Sequence, residues 1–373
     1  DAIYADESIY EYPMQQGGGN DGRPYSFGRP SSGGSKAAYP CKSYGQGRIN
    51  PAYFYGVFDP NDMRRDVSIT MTGSNGKGVE KLIPFVPNSK AEGGGLTLNK
   101  WDENRQANPW VVAQRKSGIN GPYMRMSEVY LGYAEVCAAL GDVVTGKQYL
   151  KTVRERSFPQ GLANTDAFIA SFGNDLVRAI IEERGFEYAG EGDRRWTLIR
   201  SGYLPEDIKR IKDMTKAMMD GLATKGYYEF ENGNIISAYI WTKLVDAKTI
   251  YGHRLTAQCP TDKVNDPVLY PGWRGQKDNW EEMGLNYGSS TPATNLAIKG
   301  LFEIVSEEEA ASLESQGYTK VNWGIDLVDN RDEYDKYLFW DYDYVSAPIY
   351  LWPFTPNVMA AGGFTNGYGF KQE

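Results

Sequence analysis

The 373-residue sequence predicts a mainly α fold: a tetratricopeptide-like helical-repeat core with long loops and short β-hairpins. Two pairs of amphipathic segments near the middle of the chain predict the repeats. Stretches dense in Gly, Pro, Ser and Asn on either side predict the loops. Three segments follow: a loop-rich 1–121 with short strands, a helical core over 122–225, and a loop-rich 226–373 packing on that core.

Asp1–Met14 reads as a strand-like lead, with Ile3, Ile9, Tyr10 and Tyr12 set among small and acidic residues. Gln15–Pro51 is rich in turn formers, and a loop of this length inside a compact domain is usually functional or disordered. Tyr25, Phe27, Tyr39, Tyr44, Tyr53 and Tyr55 punctuate this region, which argues against disorder, because disordered chains are poor in aromatics. Asp59–Asp66 precedes Val67–Met71, whose alternation predicts a strand. Gly73–Gly78 lacks the G-x-x-x-x-G-K-[ST] spacing of a phosphate loop and reads as a hairpin turn. Pro84–Pro109 is loop again and holds Trp101, with Trp110 just beyond it.

Gly121-Pro122 opens a helix, with Pro in its favoured first turn. Met126, Tyr130, Tyr133, Ala134, Cys137 and Leu140 form its apolar face, and Gly141 ends it. Val143–Arg156 is its partner, with Val144, Tyr149, Leu150 and Val153 inward. Two antiparallel helices joined at a short Gly turn are the unit of a helical solenoid. Residues 164–202 supply the next pair. Leu176, Val177, Ile180 and Ile181 share one helical face, and Arg178, Glu182 and Glu183 take the other. A short second helix over 194–200 buries Trp196 and Ile199. Glu182, Glu183, Glu187 and Glu191 then lie near Arg184, Arg194, Arg195 and Arg200, a density that predicts a fixed ion-pair network.

Pro205–Leu222 is a further helix, striped by Ile208, Ile211, Met214, Met218 and Leu222. Tyr227–Phe230 and Ile235–Trp241 read as strands around Asn232-Gly233, a type I′ hairpin signal. Thr291–Glu303 reads as a helix, and Glu307–Gln316 as another, capped by Ser306.

Composition excludes several function classes. A net charge of -8 argues against a nucleic-acid or anionic-membrane surface. His253 is the only histidine, which removes His-based triads and multi-His metal sites within this chain. Cys41, Cys137 and Cys259 are too scattered for a metal knuckle. The acidic, aromatic run Asp326–Tyr344 has no calcium-loop spacing and reads as a solvated surface, so neither metal nor cofactor is expected. No apolar run approaches the ~20 residues of a membrane span. Glycoside hydrolysis needs two carboxylates facing each other across a cleft. The carboxylates of the central stretch are instead matched by Arg, so the chain reads as a binding protein and not an enzyme.

Glu183–Arg200, Glu-Arg-Gly-Phe-Glu-Tyr-Ala-Gly-Glu-Gly-Asp-Arg-Arg-Trp-Thr-Leu-Ile-Arg, resembles the signature of the SusD/RagB family, roughly E-R-x-x-E-F-x-G-E-G-x-R-W-x-D-L-x-R. Thr197 stands where the family has an acidic residue. Asp62-Met63-Arg64-Arg65 is similar to the family's D-x-R-R element, and Met124–Glu135 to its R-x-A-E-x-x-L-x-x-A-E line, with Ser127 for Ala. Tyr350–Tyr368 resembles its closing run, with Phe354 for Ile and Val358 for Glu.

The resemblance implies a SusD-like cell-surface lipoprotein of Bacteroidetes that binds glycan for a TonB-dependent (SusC-like) outer-membrane transporter. Oligopeptide in the same transport role, or a glycoside hydrolase, is the alternative. It also implies an N-terminal part with two further helical repeats and the lipid-bearing Cys. Within the family, sugar contacts come commonly from the loops between the lead strand and the third repeat. Position and composition in that window select Tyr25, Tyr39 and Tyr44 as stacking faces, Asn20 and Arg23 as partners for sugar hydroxyls, and Trp101 as a further ring. Trp273 and Trp280 are the fallback.

Overall fold

The computed structural model describes residues 7–15, 49–74, 80–82, 96–98, 100–101, 118–158, 161–246, 294–329, 331, 350, 354–363 and 365. The lead contains β1 (Ser8–Tyr12). A π-helical turn, Ala52–Val57, comes next. Asn50 Oδ1 accepts the Tyr53 N–H at 3.1 Å near its start. Asn234 Nδ2 donates to the carbonyls of Tyr55, Gly56 and Phe58 at its end, at 3.2, 3.0 and 2.8 Å. Carbonyls that a wide turn leaves open are thereby satisfied. Tyr53 and Tyr55 are therefore not loop aromatics, and Tyr55 is fully buried.

The helix α1 (Met63–Ser68) starts at Asp62, whose side chain accepts the Arg64 N–H. That cap carries helix into the expected strand, leaving only β2 (Ile69–Thr70) of it. Strand β3 (Thr72–Ser74) pairs antiparallel with β4 (Glu80–Leu82), and the turn expected at Gly73–Gly78 lies mostly outside the described residues. Strand β5 (Thr97–Leu98) pairs with β2.

Residues 121–125 correct the expected helix start: they form β6 (Gly121–Arg125), antiparallel to β1, with Tyr10 opposite Met124. Pro122 thus sits in a two-stranded ribbon, where an unbonded edge tolerates it. Helix α2 (Met126–Ala139) follows and packs on α3 (Val143–Glu155), capped by Asp142. The buried face of α2 is Ser127, Leu131, Ala134 and Cys137. Ser127 is inward because Tyr188 Oη donates to it at 3.2 Å. The expected Tyr133 and Leu140 are exposed, as are Val129 and Val136. On α3 the inward residues are Gly146, Leu150, Val153 and Arg154, while Val144 is exposed. A Cβ on Gly146 would stand 3.0 Å from Ala134 O, so glycine sets how closely α2 and α3 approach.

A short helix α4 (Thr165–Ala170) leads to α5 (Leu176–Glu187), α6 (Asp193–Ser201) and α7 (Leu204–Lys225). Gly190 and Gly192 make the corner between α5 and α6 with φ of +78° and +93°. Trp196 corrects a further expectation, being 58% exposed. Thr197 and Leu198 are the buried residues of α6, and at 100° per residue Trp196 falls on its outer side.

Strands β7 (Tyr227–Glu229) and β8 (Ile235–Ser237) form the expected hairpin. Its turn is not type I′. The Gly233 N–H reaches Phe230 O at 2.8 Å and Gly233 alone is left-handed, so three loop residues replace two. Strand β9 (Tyr239–Asp246) is central in a three-stranded sheet, order β10-β9-β11. Strand β10 (Thr294–Lys299) lies where a helix was expected. Its pairing with β9 over all six residues overrides local propensity. Helix α8 (Glu307–Ser315) has the expected Ser306 cap, completed by Glu309 as a capping box. Strand β11 (Thr319–Asn322), α9 (Ile325–Asp329) and α10 (Pro356–Gly362) follow.

The main core joins distant segments: Phe54, Phe58 and Ile69 meet Phe186, Met218 and Ile298. Gly185, inside α5, lets one wall of this core close. A Cβ there would collide with Tyr53 Oη and stand 2.8 Å from Arg194 Nη1. Alanine raises helix propensity by ~1 kcal/mol, but overpacking of held side chains costs ~1–3 kcal/mol. Gly185→Ala should therefore lower the urea midpoint; a midpoint unchanged or raised would show that Tyr53 and Arg194 yield freely.

Candidate functional site

The sequence pointed to two places, a charged centre on α5 and a set of aromatic loops. The centre is the ion-pair network, and its geometry shows what it does. Glu182 and Glu183 are 0% exposed. Glu182 takes Arg194 Nη2 at 2.8 Å and Arg210 Nη2 at 3.1 Å. Glu183 takes Arg154 Nη1 at 2.9 Å, and Arg64 Nη1 stands 2.7 Å from its other oxygen, a contact of charge without hydrogen-bond alignment. Glu187 meets Arg64, Arg125 and Arg156, and Glu191 meets Arg125 and Lys100. Asp207 is shared by Arg178, Arg194 and Arg210.

Of the four arginines expected as partners, Arg194 is the one seen to bond a helix α5 glutamate among the described residues. Arg184 pairs with Asp193, and Arg200 with Glu135 on α2. Thr197, the departure from the family signature, accepts from Arg184 Nε at 3.2 Å and donates to Asp193 at 2.8 Å. It fills a polar slot in which Asp193 already carries the charge.

Burial alone would raise the Glu187 carboxyl. Arg64, Arg125, Arg156 and Lys100 outweigh it and hold the pKa down to about 2. Burial lowers Lys100, with Glu191 opposing it. The Tyr53 hydroxyl is pushed well up by burial. A carboxylate this strongly held as an anion is unsuited to proton transfer near neutral pH. The network ties α5 to α1, α3, α6 and α7.

The aromatic candidates divide. Asn20, Arg23, Tyr25, Tyr39 and Tyr44 lie outside the described residues, as do Trp110, Trp273, Trp280 and His253. Trp101 is placed, and it is buried at 8% exposure, so the expectation of an open stacking ring there is not met. Leu96 and Leu98, buried beside it in sequence, show this short stretch turning inward. One cavity of about 70 Å³ is lined by Tyr55, Pro60, Arg65, Asn234, Ile235 and Phe302. It admits waters and is far below the ~300 Å³ at which small-molecule pockets begin. Among the described residues no group of His, Cys, Asp and Glu is arranged to hold a metal.

One constellation escaped the sequence reading. Tyr239, Trp241, Lys243, Lys299, Tyr318 and Lys320 come together on the outer side of the three-stranded sheet. The alternation Tyr239, Trp241, Lys243 was legible. The partners arrive from β10 and β11, and β10 had been read as helix.

A family model described as the SusD family matches residues 4–353. Over 160 residues the chain is 28% identical to the SusD-like protein P25 of Formosa agariphila, covering 43% of this chain and 26% of that protein. The chain thus spans about a quarter of that curated relative's length. Among solved structures, a SusD homologue of Bacteroides thetaiotaomicron aligns at 19% identity with a TM-score of 0.39, covering 57% of this chain and 44% of that one. A surface glycan-binding protein A from the same organism, solved with laminarihexaose, aligns at 19% identity and a TM-score of 0.34, covering 55% and 44%.

The network generates a pH prediction. Glu187 has a folded-state pKa near 2 against an ordinary 4.5. Its stabilisation is therefore fully present above pH ~4.5 and is lost as pH falls toward ~2. Glu187→Gln should cost ~3 kcal/mol at neutral pH and flatten the acid limb of the stability curve over that window. Parallel acid limbs for the variant and the parent, in denaturant melts at stepped pH, would contradict it.

Proposed function

The chain belongs to the SusD family, its model matching residues 4–353, and from that membership we propose a glycan-binding role at the cell surface. The family match is the observation that carries the reading. The protein holds an oligosaccharide and passes it to a TonB-dependent, SusC-like transporter in the outer membrane, itself held there by a lipid anchor. No helix among the described residues is long and apolar enough to cross a membrane, which is compatible with anchoring by lipid. The role requires no turnover. The central carboxylates are committed to arginines and serve as scaffold.

Binding falls to the loops and not to the network. Tyr25, Tyr39 and Tyr44 provide flat faces for pyranose rings, and Asn20 and Arg23 bond the hydroxyls. A glycan array on the whole protein identifies the sugar, and calorimetry then measures it. Tyr25→Ala, Tyr39→Ala and Tyr44→Ala should each weaken binding by ~1–3 kcal/mol, on the scale of base–aromatic stacking. Unchanged affinity in all three with the fold retained removes this platform. Capture of peptides but no glycans replaces the ligand class, and measurable glycan cleavage replaces the non-catalytic role. Extraction from native membranes should recover a large β-barrel with the protein, and recovery as a monomer counts against the transport role.

A further inference from the structure

The three-stranded sheet has two unlike faces. Ile240 and Ile298 are fully buried and belong to the main core. Their alternates on β9 are Tyr239, Trp241 and Lys243, which point to the other side. The register sets Lys299 of β10 and Lys320 of β11 both opposite Trp241, one on each flank. Their Cα atoms are therefore two strand spacings apart, ~10 Å. Two flexible four-carbon stems across that gap reach one common anion.

The ammonium groups are positioned by rings. Lys320 Nζ lies 4.6 Å from the Tyr239 ring centre and 5.4 Å from that of Trp241. Lys243 and Lys299 Nζ lie 5.8 and 5.3 Å from that of Tyr318. Lys243 is already committed, donating to Gln316 O at 2.7 Å at the C-terminal end of α8. Lys299 and Lys320 form no ion pair with a described carboxylate. Trp241 is 3% exposed, and its indole N–H finds no acceptor among the described residues. Like charges across strands normally cost stability. Cation–π contacts offset only part of that. Asn322 Oδ1, opposite Tyr239 on the same face, likewise finds no donor among the described residues, so polar groups of both kinds stand unsatisfied beside these cations. Tyr239 is 39% exposed, with the Lys320 ammonium over one face of its ring.

We propose that this outer sheet face is a subsite for an acidic sugar, a pyranose bearing a carboxylate or sulfate. Lys299 and Lys320 take the charge, and Tyr239 takes the ring. A partly exposed aromatic side chain next to two cations favours a charged sugar over an acidic peptide, whose carboxylates carry no ring to lay against it. The site adds a ligand class to the glycan-binding reading, on which it rests. It is separate from the loop tyrosines.

Tetragalacturonate and its fully methyl-esterified form share one sugar backbone and differ chiefly in charge, and calorimetry with both on the whole chain tests the site. The acid form should bind more tightly, with the difference shrinking between about 20 mM and about 150 mM salt. Lys299→Gln and Lys320→Gln should each weaken the acid form about three- to fivefold, as single exposed charges do, and leave the ester unchanged. Equal losses for both forms, or none, overturn the proposal. Inorganic sulfate matching the acid form would mean an adventitious ion only, and tetraglutamate matching it would mean an acidic peptide; both overturn it. Neutral glycans that bind while tetragalacturonate does not would sink this subsite and leave glycan binding standing. If no glycan of either kind binds, both readings fall.

Discussion

Two adjacent glutamates with no exposure are the constraint on which the helical core depends. Glu182 and Glu183 are neighbours on α5, and at 100° per residue their side chains leave the helix toward different partners. Glu182 is held by Arg194 of α6 and Arg210 of α7. Glu183 is held by Arg154 of α3 and lies against Arg64 of α1. Burying an unpaired carboxylate is very costly, so neither side of α5 can be left open. The hydrophobic contacts of the repeats permit many helix arrangements; these paired charges admit few. The observed register of α1, α3, α6 and α7 around α5 satisfies both demands at once.

Neutral polar groups fasten further segments, the π-helical turn among them, to α7 and to the β7–β8 hairpin. Asn50 donates to Thr215 on α7 at 2.9 Å, and Asn234 collects three carbonyls around the π-helical turn. Loop-rich parts of the chain are therefore tied to the helices by amide and guanidinium groups as well as by apolar burial. Such bonds orient a segment more strictly than packing alone, because their geometry is directional.

The sequence was most legible where a local rule decides the outcome. Ser306 announced the start of α8, and Gly141 ended the helix before α3. The ion-pair network was legible as a density of charge, but of its partners only Arg194 was. Arg64, Arg125 and Arg154 come from elsewhere in the chain, and spacing alone cannot reveal an encounter of that kind. Trp196 and Tyr133 misled because large apolar residues were assumed to face inward, whereas Ser127 and Thr197 hold inward positions through hydrogen bonds. Strand β10 failed for a related reason, since its identity is set by β9 beside it. The proposed loop platform rested on composition and position alone. Of its members the structure places only Trp101, and it is buried.

The span of the network carries a consequence for how the chain folds. Arg64 bonds Glu187 across 123 positions of sequence, and Lys100 reaches the Glu187 carbonyl across 87. Helices α2 and α3 can associate early, since their contact is local and its loop short. Glu182 finds Arg194 and Arg210 close by in sequence, whereas the Glu187 carboxylate has to wait for Arg64, far upstream. Closure entropy is spent before any of these bonds forms, which is the signature of a slow, high-contact-order step. The upstream edge of the centre, where Arg64 meets Glu187, is therefore expected to close after the local pairs around Glu182.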